Sequence, residues 1–368
     1  MANANLSKAK AGKNDEFYTQ YADIQKEVNA YLEYNADVFR NKTILLPCDD
    51  PEWSNFTKFF AQNFEQFGIR KLISTSYAPE AKKIKSWSPT LFESESPYYD
   101  ADKSKTNGKI FILDHDTDAN GRTDIDDLEW SYLESNGDFR SDEVKRLRDE
   151  ADIIITNPPF SLFREFVKWI MEADKKFLII GNQNAITYKE IFPLIKENKI
   201  WLGYKSGDMS FRVPANSEER ATRFWIDTNG QKWRSLGNIC WYTNLDIPKR
   251  HENLILYKSY TPEEYPRYIN YDAIEVSKTE LIPCDYDGVM GVPITFMDKY
   301  NPDQFEIIGI GNGGELGVEC GVSANLTAEQ CAALFREDKS FRKGKLCYRN
   351  DKGKLIGCYA RILIRKRA

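Results

Sequence analysis

Short apolar runs alternate with amphipathic stretches through the first two-thirds of the chain, and this alternation limits the fold more than any other feature. Residues 43–47 (TILLP) read as a buried strand. Phe56, Phe59, Phe60, Phe64 and Phe67 then share one face of a helix over 54–67, with Gly68 as its stop. KLISTSY (71–77) is a second strand. Strand, helix, strand with short joints is a βαβ unit, which favours a parallel sheet. The rhythm breaks over about 78–137, a Ser-, Asp- and Gly-rich insertion with one strand at 109–113. It resumes with ADIIIT (151–156), a helix over 161–172, FLIIG (177–181), a helix over 188–199 and IWLGY (200–204). ICWYTNL (239–245) pairs with IWLGY after a long polar loop. An opening helix is expected over 15–34, where Tyr21, Ile24, Val28, Tyr31 and Leu32 recur at three- and four-residue spacing.

From about residue 260 the pattern changes to Tyr-, Pro- and Gly-rich segments with short strands. The expected organisation is an α/β first domain over 1–259 and a smaller, mixed α+β second domain over 260–368. A length of 368 residues suits two domains and a large core without disulfides. No run of about 18 apolar residues occurs, so no membrane-spanning helix is expected. The N-terminus, MANANLSKAKAGKNDEF, lacks the apolar stretch of a secretory signal, which makes the expected location cytoplasmic. Seven cysteines, an odd number without a CxxC pair, fit reduced thiols. With only His115 and His251 available, a His-rich metal site is excluded and histidine chemistry is not expected.

Net charge is −5, which taken alone argues against a nucleic-acid binder. The charge is unevenly spread. Residues 91–150 carry 8 basic and 17 acidic side chains, and residues 336–368 carry 12 basic and 3 acidic. The basic end is a candidate phosphate-contacting edge, although 360–364 within it reads as a strand.

The sharpest chemical signal is TNPPF at 156–160, directly after ADIIIT and before an amphipathic helix. Ligands of open α/β sheets bind outside the carboxyl ends of strands, which is where this motif falls. Pro158 and Pro159 fix the backbone and remove two amide donors. They hold the Asn157 side chain and nearby carbonyls as acceptors, a suitable grip for an amino group. Phe160 offers a face for stacking a planar base. Accepting both N–H bonds of an aromatic amine draws its lone pair out of conjugation and lets it attack an electrophilic methyl, without a histidine base or a metal. The competing reading is an ordinary strand-to-helix turn.

TNPPF resembles the (D/N/S)PP(Y/F) motif of amino-group methyltransferases. RDEADIIITNPPFSLFREF, with KNDEFYTQYADIQKEV and LLPCDDPEWSNFTKFF, is similar to the EcoRI-type adenine-specific DNA methyltransferase family over nearly the whole chain. The resemblance implies a Rossmann-like catalytic sheet with a target-recognition domain, S-adenosylmethionine as cofactor, and duplex DNA as partner. It implies a monomer with no stable protein partner, and adenine flipped from the stack, with GAATTC the first target to consider and a paired restriction enzyme. Asn157, Pro158, Pro159 and Phe160 take the catalytic positions. Tyr18 and Thr19 match the motif that touches the methionine part of the cofactor. Pro47, Cys48, Asp49, Asp50 and Pro51 match the cofactor loop, with Ser54 and Phe56 in place of its glycines. Asp138 and Phe139 match the pair that holds the adenine end of the cofactor. The ribose-binding acid has no counterpart in KLISTSYAP. The alternatives are transfer to cytosine, RNA or protein glutamine, or a DNA-binding protein that has lost catalysis.

Three further signals compete. DTDANGRTDIDD (116–127) has oxygen side chains at positions 1, 3, 5, 9 and 12 and Gly at 6, near calcium-loop spacing. A strand precedes it, and Asp127 stands where Glu is usual. The adopted reading is an acidic surface turn with no metal assigned; any calcium there would be structural. GIGNGG (309–314) satisfies GxGxxG but lacks a good following helix and reads as a loop. Of Trp241 and Tyr242, only one can face a site, because adjacent strand residues point to opposite faces.

Overall fold

The computed structural model describes residues 17–49, 54–79, 91–214 and 217–367. The apolar runs become strands β1 (Thr43–Leu46), β2 (Lys71–Thr75), β5 (Ile153–Thr156) and β6 (Lys176–Asn182). Between β2 and β5 lie β3 (Lys109–Leu113) and β4 (Glu129–Tyr132), and after β6 come β7 (Trp201–Arg212), β8 (Phe224–Ile226) and β9 (Lys232–Thr243). Among the described residues these nine strands form one mixed sheet in the order β4-β3-β2-β1-β5-β6-β9-β7, with β8 paired to β9.

The centre of the sheet is parallel. Leu45 of β1 lies opposite Ile73 of β2 and Ile154 of β5, and Thr156 lies opposite Ile179 of β6. Every residue of β1 and β5 is buried. Such unbroken apolar strands belong to sheets covered on both faces. Antiparallel strands flank the centre, β3 on β2 and β9 on β6. The insertion is thus part of the sheet, contributing β3 and β4 to its edge. EWSY, which forms β4, has only Trp130 buried, and that weak alternation explains why it reads as loop.

The phenylalanine-rich helix forms as Asn55–Gln62, capped by the Ser54 hydroxyl on Phe56 N–H at 3.1 Å, and continues as a short turn Phe64–Phe67. Gly68 ends it in the left-handed conformation, φ +65°. The opening helix is shorter than the periodicity indicates, running Tyr21–Tyr34. Residues 17–20 are instead extended, and Tyr18 pairs with Arg212 as an isolated antiparallel bridge. The long polar loop expected after 204 is largely strand, since β7 and β9 each run twelve residues.

The chain divides into two compact units, Met1–Asn182 with Gly203–Asp246, and Gln183–Leu202 with Ile247–Ala368. The second contains β10 (Ile274–Glu275), β11 (Met290–Pro293), β12 (Phe305–Gly311) and β15 (Arg361–Lys366) in the order β10-β11-β15-β12. A hairpin of β13 (Cys347–Arg349) and β14 (Leu355–Gly357) and a helix Ala328–Glu337, closed by a Thr327–Gln330 capping box, complete it. The stretch 188–199, read as one helix, is helical over Phe192–Lys196 and belongs to this unit.

Candidate active site

Because β2, β1, β5 and β6 are parallel, the segments that follow them emerge on one edge of the sheet. Asp49 follows β1, Ser76 follows β2, and Asn157 follows β5. Asp49 is only 6% exposed. Its Oδ2 accepts from the Thr156 hydroxyl at 2.6 Å and its Oδ1 from the Ser54 hydroxyl at 2.7 Å. Its backbone N–H donates to Thr75 O at 3.0 Å, and its carbonyl accepts from Ser74. Asp49 therefore ties the ends of three strands together, its carboxylate joining β1 to β5 and to the cap of the following helix, and its backbone joining β1 to β2. Pro47 is buried and Cys48 half-buried. Asp50 and Pro51 lie outside the described residues.

The Asn157 side chain is held from one end. Its Nδ2 donates to Phe17 O at 2.7 Å and to Thr19 Oγ1 at 3.3 Å. A carbonyl can only accept, so the nitrogen must face Phe17 and Oδ1 is the end left to accept from another molecule. Pro158 is buried, whereas Pro159 and Phe160 are half-buried. Phe160 stacks on Phe17, with centroids 5.4 Å apart and planes inclined by 23°. Phe17 also meets Phe211 edge-on at 5.5 Å. Sequence reading missed Phe17, although alternation along an extended 17–20 segment would have put it beside Thr19.

Thr19 is buried, and its carbonyl accepts from Asn55 Nδ2 at 2.7 Å. Tyr18 points the other way. With Gln20, Asn55, Arg212, Asp227 and Trp233 it lines a cavity of about 410 Å³. Alternation separates this cavity from the Thr19 side of the segment, where Asn157 is held.

Asp138 and Phe139 lie in a turn packed on the end of β2. Gly137 has φ +78°, and a Cβ there would stand 2.1 Å from Ser76 O, so only glycine fits. The Asp138 carboxylate accepts from the Arg140 guanidinium at 2.8 and 2.7 Å. Hydrogen bonding to Asp138 raises the Arg140 pKa further above its ordinary value. Phe139 is 5% exposed and packs edge-on against Phe166 and Trp169 at 5.1 and 5.6 Å. Trp241 and Tyr242 are both fully buried, against Phe56 and Phe163 respectively. Both histidines are exposed.

In the 116–127 loop, carboxylate oxygens of Asp116, Asp118 and Asp127 lie within 4.8 Å of one another. Asp127 Oδ1 accepts from Thr117 N–H and its hydroxyl at 2.7 and 2.8 Å, and Oδ2 from Asp124 N–H at 3.0 Å. These bonds close the turn on Asp127. The GIGNGG segment ends β12 and is followed by a five-residue helix, Glu315–Glu319.

All seven cysteines are free. Among the described residues no helix is long and apolar enough to cross a membrane. No solved structure significantly matches the chain. It is 47% identical to Type II methyltransferase M.EcoRI of Escherichia coli over 307 residues, 82% of this chain and 88% of that protein. It is 35% identical over 312 residues to Type II methyltransferase M.MgeORF184P of Mycoplasma genitalium, 82% of this chain and 85% of that protein. Type II methyltransferase M.MpnI of Mycoplasma pneumoniae is 35% identical over 309 residues, 82% of this chain and 84% of that protein. The family model described as "Adenine-specific methyltransferase EcoRI" matches residues 5–367. An NPPF motif at the end of a central parallel strand, with similarity of this extent, means that the chain belongs to the EcoRI family of adenine-specific DNA methyltransferases.

Proposed function

We propose that the Asn157–Phe160 segment performs methyl transfer to the exocyclic amino group of an adenine flipped out of duplex DNA. The observation that carries this reading is the orientation of Asn157. Its nitrogen is committed to Phe17 O and Thr19 Oγ1, so Oδ1 receives one N–H of the amine. The Pro158 carbonyl receives the other. Two acceptors fixed before the base arrives stabilise the tetrahedral nitrogen without reorganising, which is where most of the rate comes from. Phe17 backs one face of Phe160, and the base stacks on the opposite face. A base inside a duplex cannot reach such a pocket, so flipping is required.

S-adenosylmethionine, when bound, supplies the electrophilic methyl. Two observations fit it to this edge. The Asp138 turn sits against the end of β2, and Thr75 Oγ1, at the last position of β2, is buried with no hydrogen-bond partner. Asp138, Phe139, Thr19 and the 47–51 loop hold the cofactor, and Tyr18 closes the other side of the 17–20 segment. The first unit is a Rossmann-like sheet in this reading, and the second reads the target sequence. The exposed Lys339, Arg342, Lys343, Lys352 and Lys354 of the second unit are its phosphate contacts.

The test is to incubate the purified chain with S-adenosylmethionine and plasmid DNA, then sequence for modified bases. The expected product is N6-methyladenine at one short motif, with GAATTC the first examined. Methylation of cytosine, or of no base, would contradict the reading.

A further inference from the structure

A second group of residues converges on Phe17. Along β9, Trp233 faces the polar cavity and Arg234 faces the other side. The Arg234 guanidinium carbon lies 5.3 Å from the centre of the Phe17 ring, which itself stacks on Phe160. A cation and the motif aromatic thus both meet the Phe17 ring. Arg234 is half-buried, and it makes no ion pair among the described residues. Among the described residues the charge that acts on it is another cation, the exposed Arg220. Burial, followed by the field of Arg220, lowers the Arg234 pKa from its ordinary value. Nearby arginine and lysine charges are matched, Arg223 with Asp208 at 3.1 Å and Lys232 with Glu219 at 3.8 Å. A partly desolvated guanidinium that feels a second cation and has no carboxylate paired to it among the described residues costs free energy that an arriving anion would recover.

We propose that Arg234 and Arg220 bind the backbone phosphate of the nucleotide whose base enters the site. The proposal rests on the DNA methyltransferase reading and adds a contact to it. A guanidinium fork can meet two phosphate oxygens at once while its face stays on an aromatic ring, which an ammonium cannot do. Holding that phosphate beside Phe17 places the flipped base next to Phe160. Each phosphate neutralised steepens the fall of log affinity with log salt by about 0.9 on duplex DNA.

The experiment uses the full chain and a fluorescent duplex containing the motif mapped by sequencing, or GAATTC if none is found. Affinity is measured by anisotropy across a salt series for wild type, R234Q, R234K and R220Q. S-adenosylmethionine binding is followed by calorimetry and folding by thermal melting. R234Q is expected to bind DNA about tenfold more weakly at moderate salt and to lose about one from the salt slope. R234K should keep the slope and lose affinity, and cofactor binding should be unchanged in both. An unchanged slope in a folded R234Q overturns the proposal. Should R234Q fail to fold, R220Q carries the test, since its exposed side chain supports no core, and an unchanged slope there overturns it equally. Failure of wild type to methylate adenine would instead refute the catalytic reading, and the salt slopes would remain readable.

Discussion

Asn157 is pinned by its nitrogen, the end that the proposed chemistry does not use, and the same economy holds one residue earlier. The Thr156 hydroxyl is committed to the buried Asp49 carboxylate, so the residue preceding the motif serves as a structural clasp. Thr156→Val keeps the shape and removes the donor. It should cost roughly 1–3 kcal/mol, because a buried charged oxygen loses its partner, and urea denaturation measures this. Little or no loss would show that Asp49 is not the tie between strands described above. Asn157 and Phe160 were legible in the sequence because their residue types and their place after an apolar strand are both local facts. Phe17 was not legible. Its role comes from an extended segment meeting Phe211, 194 positions away in the chain, and the surrounding periodicity favoured a helix.

At the scale of elements, the strands that position the site were visible because they are short, apolar and buried on both faces. β7 and β9 were only partly visible. Outside their buried parts they carry charges, glycine and half-exposed side chains, a pattern hard to separate from a polar loop. The turn at 137 depends on a contact that sequence does not show. Gly137→Ala adds a Cβ against Ser76 O and demands a positive φ of an alanine. The expected cost is about 2 kcal/mol or more, read as a lowered melting temperature with weaker cofactor binding. A neutral substitution would mean that this turn does not brace the end of β2. In the acidic loop, hydrogen bonds from Asp124 and Thr117 lower Asp127 from 3.8 to about 2. A depressed folded value gives stability that is complete above the ordinary carboxylate value and is lost as pH falls from there towards 2. The stability difference between wild type and Asp127→Asn should therefore be constant near neutral pH and shrink below about pH 4. Melting curves across that range check it, and a difference that grows on acidification would refute the assignment.

At the scale of the whole molecule, the net charge of −5 conceals parts with different work. The basic end is not simply an edge for phosphate. Its last strand, β15, lies between β11 and β12, and Arg361 forms a largely buried ion pair with Glu275 at 2.6 Å. The exposed lysines and arginines before it, and the exposed Arg365 and Arg367 at its end, are the basic groups that can face a polyanion. The parallel core and the NPPF motif could be read from one chain because both are written in contiguous residues. The second unit could not be read so closely, since 183–202 joins it from within the first and its strands are two to seven residues long.

The most direct test of the central claim compares wild type with Asn157→Ala in one assay of tritium transfer from labelled S-adenosylmethionine to duplex DNA, with DNA affinity measured in parallel. Wild type should label adenine. Asn157→Ala should lose at least about a hundredfold in rate, as expected when a preorganised acceptor is removed, while binding DNA with near wild-type affinity. Full activity in the folded variant would contradict the account, because methyl transfer would then not depend on the oxygen that Phe17 and Thr19 hold in place.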